Sequence, residues 1–265
     1  MHITLTGNLG SGKSTICKIL RDKYGFEVYS TGTVQRQLAQ EMNLTTLEMN
    51  QLMCSDRKYD TMIDDATARI SRENKDKNIV FDSRLAWNFV EQSFKVFLSV
   101  SLDVAANRVM NDSRGAVESY ENVEEAKELL SKRAMTENER YKQIYNLEYF
   151  NFENYDLVLD STYATPDEIV ETLLREAKKY EEAVRQGTYE KKTTIMISPK
   201  RFAEESSILE EDRKKLESLV NQLKENGVQV IPTVEQNGID LCLKSHEDDV
   251  KAMVLAGIPY MIVQK

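Results

Sequence analysis

No stretch of this chain restricts its fold more than Gly7-Asn8-Leu9-Gly10-Ser11-Gly12-Lys13-Ser14, which fits the pattern G-x-x-x-x-G-K-[ST]. The segment follows a short apolar run, residues 2–6, and opens a stretch with helical spacing. A glycine loop handing a strand to a helix belongs to parallel α/β architecture. Glycines let the backbone curl without Cβ clashes, so that successive N–H groups converge on phosphate oxygens at the positive end of the helix dipole. Gly7, Gly10, Ser11 and Gly12 are therefore expected to form the cradle. Lys13 should reach the β and γ oxygens of a nucleoside triphosphate, Ser14 should ligate Mg²⁺, and Thr15 should add a donor to the α-phosphate.

The rest of the first two thirds keeps the same alternation. Apolar runs at 26–29, 78–82, 94–100 and 155–159 read as further strands, and 13–22, 33–42, 56–72, 103–110 and 123–145 read as helices. A last long helix is expected from Pro166 to about Arg185, with Thr165 as its N-cap. Residues 1–185 thus predict a P-loop domain with a five-stranded parallel sheet flanked by helices. Residues 186–192 read as a linker. From 193 to 265 the pattern predicts a small α+β domain: a strand at 193–198, a helix at 209–225, a hairpin about Asn237-Gly238, a helix at 245–256 and a strand at 260–263.

Composition narrows the function. A net charge of -9 without a Lys/Arg-rich run disfavours a nucleic-acid binder. No window resembles a membrane span or an export signal, so the expectation is a cytoplasmic protein. Cys17, Cys54 and Cys242 are widely spaced and read as ordinary thiols. His2 and His246 are the only histidines, which suits phosphoryl transfer, where positioning and positive charge outweigh covalent chemistry. Tyr141, Tyr145 and Tyr149, spaced i, i+4, i+8, read as helix packing.

Such a reaction calls for arginines from several segments. Arg36 stands in Ser30-Thr-Gly-Thr-Val-Gln-Arg36, Arg84 in Val80-Phe-Asp-Ser-Arg84, and Arg108 in Asp103-Val-Ala-Ala-Asn-Arg108; Arg114, Arg133 and Arg140 occupy a polar helical stretch. With Arg133-Ala-Met-Thr-Glu-Asn-Glu-Arg-Tyr141 and Tyr155-Asp-Leu-Val-Leu-Asp160, these segments resemble the cytidylate kinase-like branch of the nucleoside monophosphate kinases over about residues 1–178. The resemblance implies strand order 2-3-1-4-5, ATP and Mg²⁺ as cofactors, and a nucleoside monophosphate as acceptor. By it, Gly32, Arg36, Asp60 and Arg84 belong to the acceptor site, with Asp56, Arg57 and Asp64 in the same region. Arg133 and Arg140 act from a mobile lid, Arg108 stacks on the donor adenine, and Asp82 helps Ser14 position Mg²⁺. Lys13, Arg84, Arg133 and Arg140 form the catalytic set. The chain has Ser83 where that family often has glycine, which removes backbone freedom beside the acceptor phosphate. Two other functions stay open: a kinase of another small acceptor, and a nucleotide-gated regulatory protein with little turnover.

Residues 193–265 resemble a ParB/sulfiredoxin-like domain through Ile197-Ser-Pro199, Asn226-Gly-Val-Gln-Val-Ile-Pro232 and Ala252-Met-Val-Leu-Ala-Gly-Ile-Pro259. Where active members bind phosphates, this chain has His246-Glu247-Asp248-Asp249, whose acids would repel them. The expectation is a degenerate module, regulatory, stabilising or mediating a homodimer.

Overall fold

The computed structural model describes residues 1–44, 48–49, 58–111, 120–238 and 240–265, with the backbone alone at 58–60. Strand β1 (His2–Gly7) runs into the glycine loop and helix α1 (Lys13–Tyr24). There follow β2 (Glu27–Ser30), α2 (Thr31–Glu41), α3 (Lys58–Glu73), β3 (Ile79–Asp82) and the short α4 (Ala86–Phe89). Next come β4 (Phe94–Ser99), α5 (Leu102–Asn111), the long α6 (Val123–Tyr145), β5 (Leu157–Asp160) and α7 (Pro166–Gln186). The C-terminal part adds β6 (Thr194–Ile197), α8 (Glu210–Asn226), β7 (Val234–Asn237), β8 (Asp240–Leu243), α9 (Glu247–Leu255) and β9 (Met261–Val263).

The main sheet has seven strands in the order β2-β3-β1-β4-β5-β6-β9, parallel except for β9 against β6. The expected order 2-3-1-4-5 is present, but the five-stranded expectation is corrected: residues from the tail extend the same sheet. Of the expected linker 186–192, Gln186 still belongs to α7 and the rest leads toward β6, the sixth strand of that sheet, whose Thr194–Met196 pairs with Leu157–Leu159. β7 and β8 form a separate antiparallel ribbon, Asn237 opposite Asp240, with Gly238 at φ +60° in the turn. This is the hairpin anticipated from Asn237-Gly238.

Side chains alternate across the sheet as the strand period requires. Ile3, Leu5, Val96, Leu98, Leu157 and Leu159 bury one face against Ile16 and Leu20 of α1 and Ile169, Val170 and Leu173 of α7. Helix α7 opens with a capping box, in which Thr165 accepts from the Glu168 amide while the Glu168 carboxylate accepts from the Thr165 amide, and Pro166 follows. On the other face Phe97 and Val158 meet Trp87, Tyr149, Phe150, Phe152 and Tyr155 in a core that continues without a break into Ile195, Ile197, Leu216, Val250, Met253 and Met261 of the tail. Helix α6 stops at Tyr145, where Asn146 takes a left-handed conformation. Tyr149 therefore lies beyond the helix, buried with its ring against Phe150 and Tyr141. The tyrosine repeat is packing, as expected, but not a single helical stripe.

His2 is buried, its Nδ1 sharing a hydrogen bond with Ser71 Oγ at 2.9 Å and its Nε2 reaching the Asn74 carbonyl at 3.0 Å. Cys17 and Cys242 are free thiols, and burial pushes Cys17 up to about 12. Cys54 lies outside the described residues.

Candidate active site

The loop between β1 and α1 has the conformation its glycines permit. Gly7 lies so close to β4 that a Cβ there would collide with the Leu98 carbonyl oxygen. At Gly10, φ is +76° and a Cβ would come within 2.9 Å of the Ala105 backbone. The loop is thus pressed against β4 and α5, and only glycine fits at either contact. Gly12, left-handed at φ 86°, caps α1 with no side-chain partner, so the first amides of that helix point outward unsatisfied by the helix itself. Asn8 Oδ1 and Ser11 Oγ are buried without a hydrogen-bond partner. Buried polar atoms without partners are rare, and here two of them line a cradle of helix-start amides. The helix-start amides and the Ser11 hydroxyl are the donors an anion needs, whereas Asn8 Oδ1 can only accept.

Lys13 folds back over the loop, Nζ donating to the carbonyls of Gly7 at 3.2 Å and Asn8 at 3.3 Å. Burial, reinforced by the nearby Arg84 charge and partly offset by Asp82, lowers it to about 8. Ser14 and Thr15 are exposed at the helix start. Asp82 ends β3 opposite Leu5 and Ser30 on the neighbouring strands, which puts it at the carboxyl edge of the sheet with the loop. Parallel sheets bind ligands at that edge.

Arg84 enters from the segment after β3. Its Nη1 donates to the Gly7 carbonyl, its Nε donates to Glu137 Oε2 at 3.1 Å, and its guanidinium lies 5.7 Å from the Tyr149 ring centre. Arg133 Nε reaches the other Glu137 oxygen at 3.3 Å. Arg133, Glu137 and Arg140 are spaced i, i+4, i+7 and so share one face of α6. The structure therefore brings Lys13, Arg84, Glu137 and Arg133 together, with Arg140 exposed on the same helix face. Glu137 escaped sequence reasoning, since a glutamate in a charged helix reads as solvated; its i+4 spacing from Arg133 was the available signal.

Ser30 caps α2 by accepting from the Thr33 amide at 3.2 Å, and Arg36 Nη2 donates to Thr33 Oγ1 at 3.4 Å. A Cβ at Gly32 would lie 3.6 Å from Arg36 Nη1, so that guanidinium packs directly over the first turn of α2. Tyr145 donates to Asp64 at 2.8 Å, tying the end of α6 to α3. The side chain of Asp60 and residues Asp56, Arg57 and Arg114 lie outside the described residues. Arg108 is engaged with the backbone: Nη1 donates to the Gly10 carbonyl at 3.2 Å, and Nη2 to the carbonyls of Ser161 at 2.7 Å and Thr162 at 3.3 Å. A cavity of about 250 Å³ lined by Met1, His2, Ser71, Arg72 and Tyr180 opens away from these groups and takes no part in the site.

A parallel sheet whose first strand feeds a phosphate-shaped glycine loop, with lysine and arginines converging from separate segments, defines the P-loop phosphotransferase class. Residues 2–163 match the model of the cytidylate kinase-like family. A cytidylate kinase of Natronomonas pharaonis is 36% identical over 169 residues, covering 63% of this chain and 84% of its own. One of Haloarcula marismortui is 32% identical over 182 residues, covering 68% and 91%, and one of Methanobrevibacter smithii is 30% identical over 178 residues, covering 67% and 99%. The crystal structure of an uncharacterized protein from Eubacterium ventriosum superposes with a TM-score of 0.52 at 14% identity, over 67% of this chain and 98% of that one, which shows the fold alone. The chain belongs to the cytidylate kinase-like family.

Proposed function

We propose that this chain transfers the terminal phosphoryl group of ATP to a nucleoside monophosphate, with a cytidine nucleotide as the first candidate. The observation that carries the reading is the convergence of Lys13 and Arg84 on the same carbonyl of the glycine loop, that of Gly7, with Arg133 brought in through Glu137. Phosphoryl transfer needs positive charge around the migrating group and little else from the protein. In this reading the loop amides and the Ser11 hydroxyl hold the triphosphate, and Lys13 neutralises its β and γ oxygens. Arg84, Arg36 and the turn at Gly32 hold the acceptor phosphate. Arg133 and Arg140 close on the transferring group and exclude water.

Mg²⁺, when bound, supplies positive charge between the phosphates, and the exposed Ser14 hydroxyl and Asp82 are the residues that would hold it. Support for the acceptor class comes from the family and from relatives that are cytidylate kinases. Residues 193–265 we read as non-catalytic. Glu247, Asp248 and Asp249 occupy the first turn of α9, and His246 Nδ1 faces Asp249 at 3.1 Å, so the place that a ParB-like reading assigns to phosphate is acidic.

The test is ADP production from ATP and Mg²⁺ with CMP, dCMP, UMP, AMP, GMP or no acceptor. Turnover that depends on one monophosphate is the expected result. Turnover only with other small acceptors would overturn the nucleotide assignment, and ATP binding without turnover would point to a regulatory protein.

A further inference from the structure

Arg201 lies outside the residues that the family model covers, yet it is the most deeply placed charge of the tail. It sits in a 3-10 turn (Pro199–Arg201) just after β6, with its side chain 2% exposed. Its Nη1 donates to Ser99 Oγ at 2.7 Å, at the end of β4, and to Asp160 Oδ1 at 3.2 Å, at the end of β5; its Nη2 donates to Asp240 on β8. Asp160 is fully buried. Its Oδ1 also accepts from the Thr162 amide and hydroxyl, and its Oδ2 from the Ser198 amide at 3.1 Å. Tyr260, from the approach to β9, donates to the Asp160 carbonyl at 3.0 Å.

The next link leads to the phosphate loop. The carbonyls of Thr162, which Asp160 anchors, and of Ser161, whose amide and hydroxyl donate to the Ser99 carbonyl, are the acceptors for Arg108, whose other nitrogen donates to the Gly10 carbonyl. An unbroken run of polar contacts thus passes from Arg201 through Asp160, the 161–162 backbone and Arg108 to Gly10. Burial of Arg201 is a poor stability device, because Nε is left without a partner and an apolar side chain would fill the same space at lower desolvation cost. What a planar, bidentate guanidinium supplies is direction. Burial holds Arg108 below its usual range, and the nearby Asp160 charge partly offsets this by favouring the protonated form. Without Arg201, that carboxylate would keep only its Thr162 and Ser198 donors, and its uncompensated charge would pull on Arg108.

We propose that Arg201 is a positioning residue for the donor nucleotide: from the C-terminal segment it fixes Asp160 and so sets Arg108 and the Gly10 backbone for the triphosphate. The proposal rests on the phosphotransferase reading only for where the triphosphate binds. ATP affinity measured by calorimetry on the full chain tests it whether or not any acceptor is turned over. A wild type that binds ATP but phosphorylates no monophosphate would sink the kinase reading and leave this one standing, whereas a wild type that binds no ATP would overturn both.

Arg201→Met is expected to weaken ATP binding by about tenfold and to raise the KM for ATP alike, while the acceptor KM moves by less than about twofold. Arg201→Lys should fall between. Adding Asp160→Asn to Arg201→Met should restore part of the ATP affinity by removing the uncompensated charge, with the acceptor KM and the Tm of the single and double variants alike; a rescue seen only alongside a recovered Tm marks a purely structural role and overturns the proposal. A folded Arg201→Met variant with ATP affinity within about twofold of wild type, or a double variant no better than the single, overturns the proposal. If the variants do not fold, the wild type still decides. ATP should slow amide hydrogen exchange at residues 198–203, and unchanged exchange there overturns it.

Discussion

Arg84 and Glu137 form an ion pair across the mouth of the phosphate loop, Nε to Oε2 at 3.1 Å, with both side chains at least three-quarters buried. The carboxylate also faces Arg133, so it stands where two arginines converge, as a phosphate would. In the proposed acceptor site, a phosphate would have to compete with it for Arg84. Glu137→Gln should therefore lower the KM for the acceptor by about threefold to tenfold, an effect that shrinks with added salt because the pair is partly solvated. Steady-state kinetics at low and high ionic strength check this; a raised acceptor KM would mean that Glu137 works with the arginines in the loaded site.

Lys13 offers a prediction in pH. Burial brings it from 10.5 to about 8. Below pH 8 the folded and unfolded chains both carry the proton, and the burial penalty is constant. Between 8 and 10.5 the unfolded chain binds more protons than the folded one, so this group's contribution to stability rises with pH. A bound polyphosphate reverses the balance by favouring the ammonium form. ATP binding at pH 8.5 should take up a proton, and affinity should fall as pH rises from 8 to 10. Calorimetry in two buffers of different ionisation enthalpy measures the uptake, which Lys13→Met should abolish.

Lys13→Ala is expected to reduce kcat by at least about a thousandfold, since in the proposed site it removes a charge from the migrating group where water is excluded. Circular dichroism should show the fold intact. Turnover at the wild-type rate would remove the loop from the active site.

Gly10→Ala tests the close approach of the loop to α5. At φ +76°, with the Ala105 backbone 2.9 Å from the new Cβ, both conformation and space oppose the methyl group. A cost of about 1–3 kcal/mol is expected, seen as a lower Tm, together with weaker ATP binding as the loop shifts.

Truncation after Gln186 asks whether the tail is an appendage. It would strip Ile195, Ile197, Leu216, Val250 and Met253 from Phe97, Phe152, Tyr155 and Val158. Each large side chain so uncovered forfeits roughly 2 kcal/mol. The expected product melts without cooperativity and aggregates through the bared edge of β5. A cooperative, ATP-binding fragment would show that the first 186 residues stand alone.

Much of this was legible from residue order. The glycine loop, the strands that precede and follow it, and the Thr165 cap were local signals, and the structure has them within a residue or two. The partner of β6 was not legible. Thr-Ile-Met-Ile announces a strand, but alternation says only that a strand has faces, not which edge it joins, and a linker-like 186–192 suggested a fresh start. Arg201 was hidden for a related reason. Lys200-Arg201 reads as exposed charge until the sheet brings Ser99 and Asp160 beside it, residues more than forty positions upstream. Glu137 was visible as a letter but not as a ligand, because its meaning depends on Arg84 arriving from another segment.

The order of strands in space differs from their order of synthesis. β9 closes the sheet by pairing Val263 with Ile195, and it leaves the ribosome after every other strand of that sheet. The nascent chain can therefore assemble its phosphate loop against β3 and β4 early, while the flank beside β5 waits, uncovered, for distant residues to arrive. Slow elongation or premature termination in the last seventy residues would leave the apolar side beside β5 open, which makes this stretch a natural point for chaperone engagement.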